Sequence, residues 1–159
     1  MDELLTLLRS NALETPANLA RLLALTEEQV KARIAEYEAS GVIRGYQAIV
    51  NEEQLDLDIV HAVIEVKISP EREGGFDRVA ERISRFAEVD SAYLMSGTYD
   101  LLLFVTGRNL KEVATFVAER LATIQGVLST ATHFLLKSYK QHGVMMQLRE
   151  GHERLKVSP

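Results

Sequence analysis

Apolar side chains recur every three to four positions in three short stretches before residue 40. From about residue 59 the repeat shortens to two, and helical spacing then returns twice. Leu4, Leu7 and Leu8 predict a first helix that stops near Ser10 and Asn11. Thr15 before Pro16 reads as an N-cap with proline at the first helical position, where its missing N–H costs nothing. The helix it opens should bury Leu19, Leu22 and Leu23. Thr26-Glu27-Glu28-Gln29 is a capping box: the threonine hydroxyl serves the Gln29 N–H, and the Gln29 side chain reaches back. It begins a third helix with an apolar face of Val30, Ile34 and Tyr37, closed by Gly41 as a left-handed cap. The short Ala24-Leu25 connection predicts a helix-turn-helix, in which the second helix props the third against a major groove. Residues 42–50 read as an extended wing and linker, followed by the polar run 51–54.

In the period-two region Ala62, Ile64, Val66 and Ile68 face one way, and His61, Glu65 and Lys67 the other, as in a half-buried strand. Gly74-Gly75 precedes a helix whose inner face is Phe76, Val79, Ala80, Ile83 and Phe86. Residues 92–95 make a second strand, Ser96-Gly97-Thr98 a turn, and 99–106 a third strand. Asn109 caps a helix expected to bury Leu110, Val113, Ala114, Val117, Leu121 and Ile124, and Gly126 ends it. A last strand over 127–137 turns Leu128, Thr130, Thr132, Phe134 and Leu136 to one side and has room to continue into 139–148. The order β-α-β-β-α-β is the ferredoxin-like arrangement. The expected fold class is therefore α+β, an N-terminal (winged) helix-turn-helix plus a C-terminal ferredoxin-like domain. The expected division is 1–45 reader, 46–58 strand linker, 59–143 ferredoxin-like domain and 144–159 tail. One face of such a sheet takes the helices, yet residues 101–105 are apolar on both faces. The simplest cover for the second face is another subunit, in an isologous dimer built on Leu102 and Phe104.

Composition narrows the chemistry. With 47% hydrophobic and 26% charged residues the chain is globular, and the change of period divides its 159 residues in two. No window approaches a membrane span, and Met1 leads into an acidic residue, so a cytoplasmic protein without a membrane partner is expected. The absence of cysteine removes disulfides, thiol catalysis and thiolate zinc sites. His61, His133, His142 and His152 share no ligand-like spacing, no serine or threonine sits in a nucleophile elbow, and the glycines form no phosphate loop. No metal, cofactor or catalytic residue is expected. The net charge of −5, with acidic side chains outnumbering basic ones before Val50, argues mildly against nucleic acid. The candidates for DNA contact are Lys31 and Arg33 in the third helix, with Arg21 and Arg44 meeting phosphates from the second helix and the wing. Glu27 and Glu28 could repel phosphate, or simply favour the positive end of the helix dipole. Arg78, Arg82 and Arg85 form a stripe, but Glu81 lies one turn before Arg85, which reads as a solvated face.

Val30, Arg33-Ile34 and Gly41-Val42-Ile43 in the reader, Gly45-Tyr46 in the linker, Ser96-Gly97-Thr98-Tyr99-Asp100 at the central turn and 127–132 in the last strand occur in one order. In that order the chain resembles the Lrp/AsnC (leucine-responsive, feast/famine) transcriptional regulators over almost its whole length. The resemblance implies a dimer that commonly assembles into octamers, binds double-stranded promoter DNA and responds to an amino acid or related small metabolite. It also points to an effector site at Ser96, Gly97, Thr98, Tyr99 and Asp100, with Thr130 and Thr132 shaping the remainder. Backbone N–H groups beside Gly97 can approach a carboxylate, and Asp100 can accept from an ammonium, although the same residues could merely satisfy the turn. One departure is Glu36, where such regulators often carry arginine. Three rivals remain: a siroheme-decarboxylase-like enzyme of similar architecture, RNA binding on the sheet, and a metabolite-sensing oligomer with weakened DNA binding. The first needs a basic, histidine-lined pocket, and the second needs exposed stacking aromatics. The acidic third helix keeps the last one open.

Overall fold

In the computed structural model, which describes residues 2–55, 57–69 and 75–147, the chain separates into two compact units, Met1–Val50 and Asn51–Pro159. Gly74, His152 and the tail from residue 148 lie outside the described residues.

The first unit is three helices, α1 (Glu3–Ser10), α2 (Pro16–Leu23) and α3 (Glu27–Ala39). Each starts on a side-chain cap: Asp2 accepts from the Leu4 N–H, Thr15 from the Asn18 N–H, and Thr26 with Gln29 completes the capping box. These bonds satisfy N–H groups that have no partner inside the helix. Leu4, Leu8, Leu19, Ala20 and Val30 form the core, with Leu7, Leu23, Leu25, Ile34, Tyr37 and Ile43 packed around them. Leu22, expected inside, is 54% exposed because Ala20 takes the inward position. Ala24 closes α2 at φ 52°, a left-handed conformation, and the Leu25 N–H then bonds back to the Ala20 carbonyl. Gly41 ends α3 at φ 75°, where a glycine is the favoured residue. Residues 43–51 carry neither helix nor strand among the described residues, so the expected wing does not pair as a strand.

The second unit opens with a 3₁₀ turn (Glu52–Gln54) and then builds β1 (Val60–Ile68), α4 (Asp77–Ser84), β2 (Val89–Leu94) and β3 (Leu101–Gly107). Helix α5 (Leu110–Thr115), which continues as a π-helical turn over Phe116–Leu121, β4 (Val127–Phe134) and a small hairpin of β5 (Lys140–Gln141) and β6 (Val144–Met145) complete it. The antiparallel sheet has the order β2-β3-β1-β4, the ferredoxin-like topology. Ala62, Ile64, Val66, Ile68, Leu101, Leu103 and Val105 meet Val79, Ile83, Val113, Phe116 and Leu121 in one core. Phe86 and Phe116 stack edge to face at 5.5 Å.

Several expected boundaries and faces move. The π turn adds a residue to one turn of the helix, with the Ala122 N–H reaching the Val117 carbonyl. Phe116, one helical turn after Val113, enters the core, while Leu110 (57% exposed) and Ala114, both before the π turn, stay outside. β2 starts at Val89, not 92, through a register shift between Val89 and Ser91, and β3 starts at Leu101, leaving Tyr99 and Asp100 in the turn. β4 stops at Phe134 rather than 137, and Leu128 and Leu136 are exposed. The hairpin then turns on His142 (φ 46°) and Gly143 (φ 90°), the paired left-handed geometry of a tight two-residue loop.

Candidate nucleic-acid interface and sensor site

In α3 the inward residues Val30, Ile34 and Tyr37 fix the helix rotation, so Glu28, Ala32, Ala35 and Ala39 emerge on the opposite face, all exposed. Of the candidate cations only Lys31 flanks this stripe; Arg33 lies toward Asp2 and Tyr37, and Arg21 and Arg44 lie outside α3. Lys31 Nζ is 3.6 Å from Glu27 Oε2. Arg33 acts on the Asp2 carboxyl, which is held below its usual value first by the Leu4 N–H it caps and further by Tyr37 and Arg33. Arg21 Nη2 donates to Asn18 Oδ1 at 2.5 Å, and Asn18 Nδ2 donates to Glu14 Oε1 at 2.6 Å. Arg44 is exposed beside Gly41. Burial, followed by the charge of Asp2, pushes the Tyr37 phenol up; the Tyr46 phenol is raised by donating to Glu38 Oε1 at 2.9 Å.

In the second unit the turn joining β2 to β3 is closed by the Met95 N–H donating to the Asp100 carbonyl, at 2.8 Å. Ser96, Gly97 and Thr98 are exposed on it, and Tyr99 and Asp100 are half-buried. Gly97 has φ 149°, a value that side chains rarely adopt, and a Cβ built there would meet nothing within 4 Å. Its backbone is thus open to close approach. Asp100 is stitched into the end of β1: its N–H donates to the Val66 carbonyl at 3.0 Å, and its Oδ2 accepts from the Ile68 N–H at 2.8 Å. Thr130 and Thr132 pair with Val66 and Ile64, so they sit on the helix side of the sheet and across β1 from the turn. The structure therefore gathers Ser96 to Asp100 but leaves the two threonines about two strand spacings away, roughly 10 Å.

Among the described residues of this unit, no helix packs on the opposite sheet face. Val63 lies beside Phe104 and His133, Leu102 beside Glu65 and Tyr93, and Ala131 beside Glu65. Phe104 (36% exposed) and Tyr93 (53%) meet edge to face at 6.1 Å. A polar chain at one end of this face was not foreseen. His61 Nδ1 lies 3.0 Å from Thr106 Oγ1 and its Nε2 2.5 Å from Glu52 Oε2, while Thr106 donates to Asp90. It fastens the 3₁₀ turn to the sheet, and Asn51 Nδ2, donating to the Met146 carbonyl at 2.6 Å, ties the residue before that turn to the segment after β6. The only advance signal was the polar run at 51–54, which does not say what it touches. Arg120 stacks over Phe86, 4.5 Å from the ring centroid, and pairs with Glu88. Among the described residues no group of three or more metal-ligating side chains occurs, and no helix is long and apolar enough to cross a membrane.

A capped helix-turn-helix unit followed by a ferredoxin-like unit with one bare sheet face defines a DNA-binding regulator with an attached sensor domain. Residues 61–145 match the Lrp/AsnC ligand binding domain. The chain is 40% identical, over 99% of its length and 95% of the relative's, to the uncharacterized HTH-type transcriptional regulator YugG of Bacillus subtilis (strain 168). It is 31% identical to an uncharacterized HTH-type transcriptional regulator of Pyrococcus furiosus, over 90% of this chain and 96% of the other. A solved regulator from Neisseria meningitidis in complex with L-methionine superposes with a TM-score of 0.67 at 26% identity, covering 89% of this chain and 93% of that one. AsnC of Escherichia coli shares the fold at a TM-score of 0.67 and 23% identity, covering 89% and 95%. The chain belongs to the Lrp/AsnC family of transcriptional regulators.

Proposed function

We propose that this regulator works in the cytoplasm as a self-associating sensor, in which an amino acid bound beside residues 96–100 changes assembly and hence the engagement of several readers on one DNA. The observation that carries the reading is the open backbone at Gly97 beside a half-buried carboxylate, Asp100. The two offer a zwitterion complementary partners: N–H groups for its carboxylate and an acceptor for its ammonium. The methionine complex of the Neisseria regulator supports an amino acid as the class of effector. The bare sheet face supports a second copy of the chain as the partner, through Leu102 and Phe104. One slightly acidic reader releases few counterions, so tight DNA binding needs several readers linked in one assembly. Arg21, Lys31, Arg33 and Arg44 are the residues we assign to DNA.

The test is calorimetric titration of the amino acids against the wild type and Asp100→Asn, with light scattering and promoter-DNA binding followed in parallel. Asparagine keeps an acceptor for the Ile68 N–H and removes only the charge. An effector should bind the wild type, bind the variant at least about tenfold more weakly, and shift both assembly and DNA affinity. An effector that binds both proteins equally removes Asp100 from the site.

A further inference from the structure

The outward stripe of α3 is poor in cations, and the structure shows which of its neighbouring side chains are already committed. Gln29 is spent in the capping box, its Oε1 accepting from the Thr26 N–H at 2.9 Å and its N–H donating to Thr26 Oγ1 at 3.2 Å. Glu27 holds Lys31. Glu38 accepts from Tyr46. Glu28 is exposed in the first turn, and its carboxylate has no hydrogen-bond or ion-pair partner among the described residues. Glu36 also lacks a side-chain partner among them, but lies two turns further along the helix. Ala32 and Ala35 follow Glu28 on the same stripe, one and two turns on.

We propose that Glu28 is a base-reading residue, whose carboxylate accepts from the exocyclic amino group of a cytosine in the major groove while the Ala32 and Ala35 methyls rest on thymine methyls of neighbouring base pairs. The proposal rests on the reading of α3 as the helix that enters the groove, where residues of its N-terminal part reach base edges. An ionised carboxylate only accepts hydrogen bonds. Guanine and thymine present acceptors to it, adenine sets an N7 acceptor beside its amino group, and cytosine presents the N4 amino donor alone. The small side chains at 32 and 35 let the helix axis approach closely and leave apolar contact as their means of reading. The helix dipole does not account for the position by itself, because Glu27 and the capping box already meet it. Near phosphates the charge weakens binding to every sequence. The two roles therefore make opposite predictions for Glu28→Gln.

The experiment selects bound duplexes from a random library with the full chain at fixed salt, for the wild type and Glu28→Gln. Affinities for the recovered site and its single-base replacements are then measured. The wild-type site should hold a fixed cytosine beside thymines. Replacing that cytosine should weaken the wild type about tenfold or more and the variant less than about twofold, and the variant should turn to adenine, which an amide reads through N6 and N7. The same site recovered by both proteins, or uniform tightening of all sequences by Glu28→Gln, overturns the proposal and leaves the regulator reading intact. Failure of the wild type to recover any common sequence overturns both together. Glu28 is exposed and makes no side-chain bond among the described residues, so the variant keeps the fold, which circular dichroism verifies.

Discussion

Ala24 holds φ 52° with a side chain that costs about 1–2 kcal/mol there, and in that conformation its own N–H and that of Leu25 both reach the Ala20 carbonyl and close α2. At the other end of α2, polar side chains tie its first turn to the connection from α1. Glu14 accepts from the side-chain amide of Asn18 at 2.6 Å and from that of Asn11 at 3.2 Å. The Asn18 bond is the largest cause that holds its carboxyl below the usual glutamate range, and Asp2 is lowered likewise by the Leu4 N–H. A carboxyl whose folded value lies below its unfolded one adds stability that is present above the unfolded value and lost as pH falls through the folded one. Thermal melting of the full chain should therefore show the reader's transition moving down as pH drops from about 6 to about 3. Glu14→Gln should flatten that decline by lowering the transition modestly near neutrality, where the ionised carboxylate contributes, and leaving it nearly unchanged at about pH 3.

At the scale of elements, α5 and the π turn that follows it set what this helix buries. Phe116, 2% exposed, packs against Phe86, and Arg120 stacks over both rings at 4.5 and 5.6 Å. Phe116→Ala should cost about 3 kcal/mol or more, read from denaturant midpoints, whereas Leu110→Ala, at an exposed position, should cost under about 1 kcal/mol. This helix also shows where reading from sequence stops. Caps at Thr15, Thr26 and Asn109 are local patterns, and period-two alternation in β1 is unbroken, so where those helices begin and which face β1 buries were legible. Nothing in residues 116–121 marks an inserted residue, and a strict 3.6 repeat placed Leu110 and Ala114 inside. β2 was shortened for a similar reason, since its bulge breaks the alternation at Asp90. The turn at 96–100 was legible as a turn. The bond from the Ile68 N–H to Asp100, spanning 32 positions, and the chain Glu52–His61–Thr106–Asp90 depend on which strands pair, which composition does not reveal.

For the whole molecule, the decisive question is what covers the bare face of the sheet. Val63, Leu102, Phe104, Tyr93 and Ala131 supply apolar surface there, and Glu65, set between Leu102 and Ala131 with an Oε1 3.5 Å from His133 Nε2, adds a polar pair within it. Aromatic anchors beside polar groups are a common interface composition. A second copy meeting the first about a two-fold axis would bury Phe104 of each chain against the other and stack two sheets, which calls for no change in either fold. Leu101, Leu103 and Val105 on the same strand fill the helix-side core, so polar substitution at Leu102 or Phe104 should spare the folded chain while removing its partner. Light scattering should accordingly find the wild type associated at about 10 micromolar, and Phe104→Asp should raise its dissociation constant by about a hundredfold or more, the effect of burying an unpaired charge where an aromatic anchor sat. Leu102→Asp should act the same way, with far-ultraviolet circular dichroism unchanged in both. DNA affinity should fall with association, since linked readers lose their advantage when the dimer parts. A wild type that scatters as a monomer at that concentration would sink the interface and, with it, the link from effector to DNA through assembly.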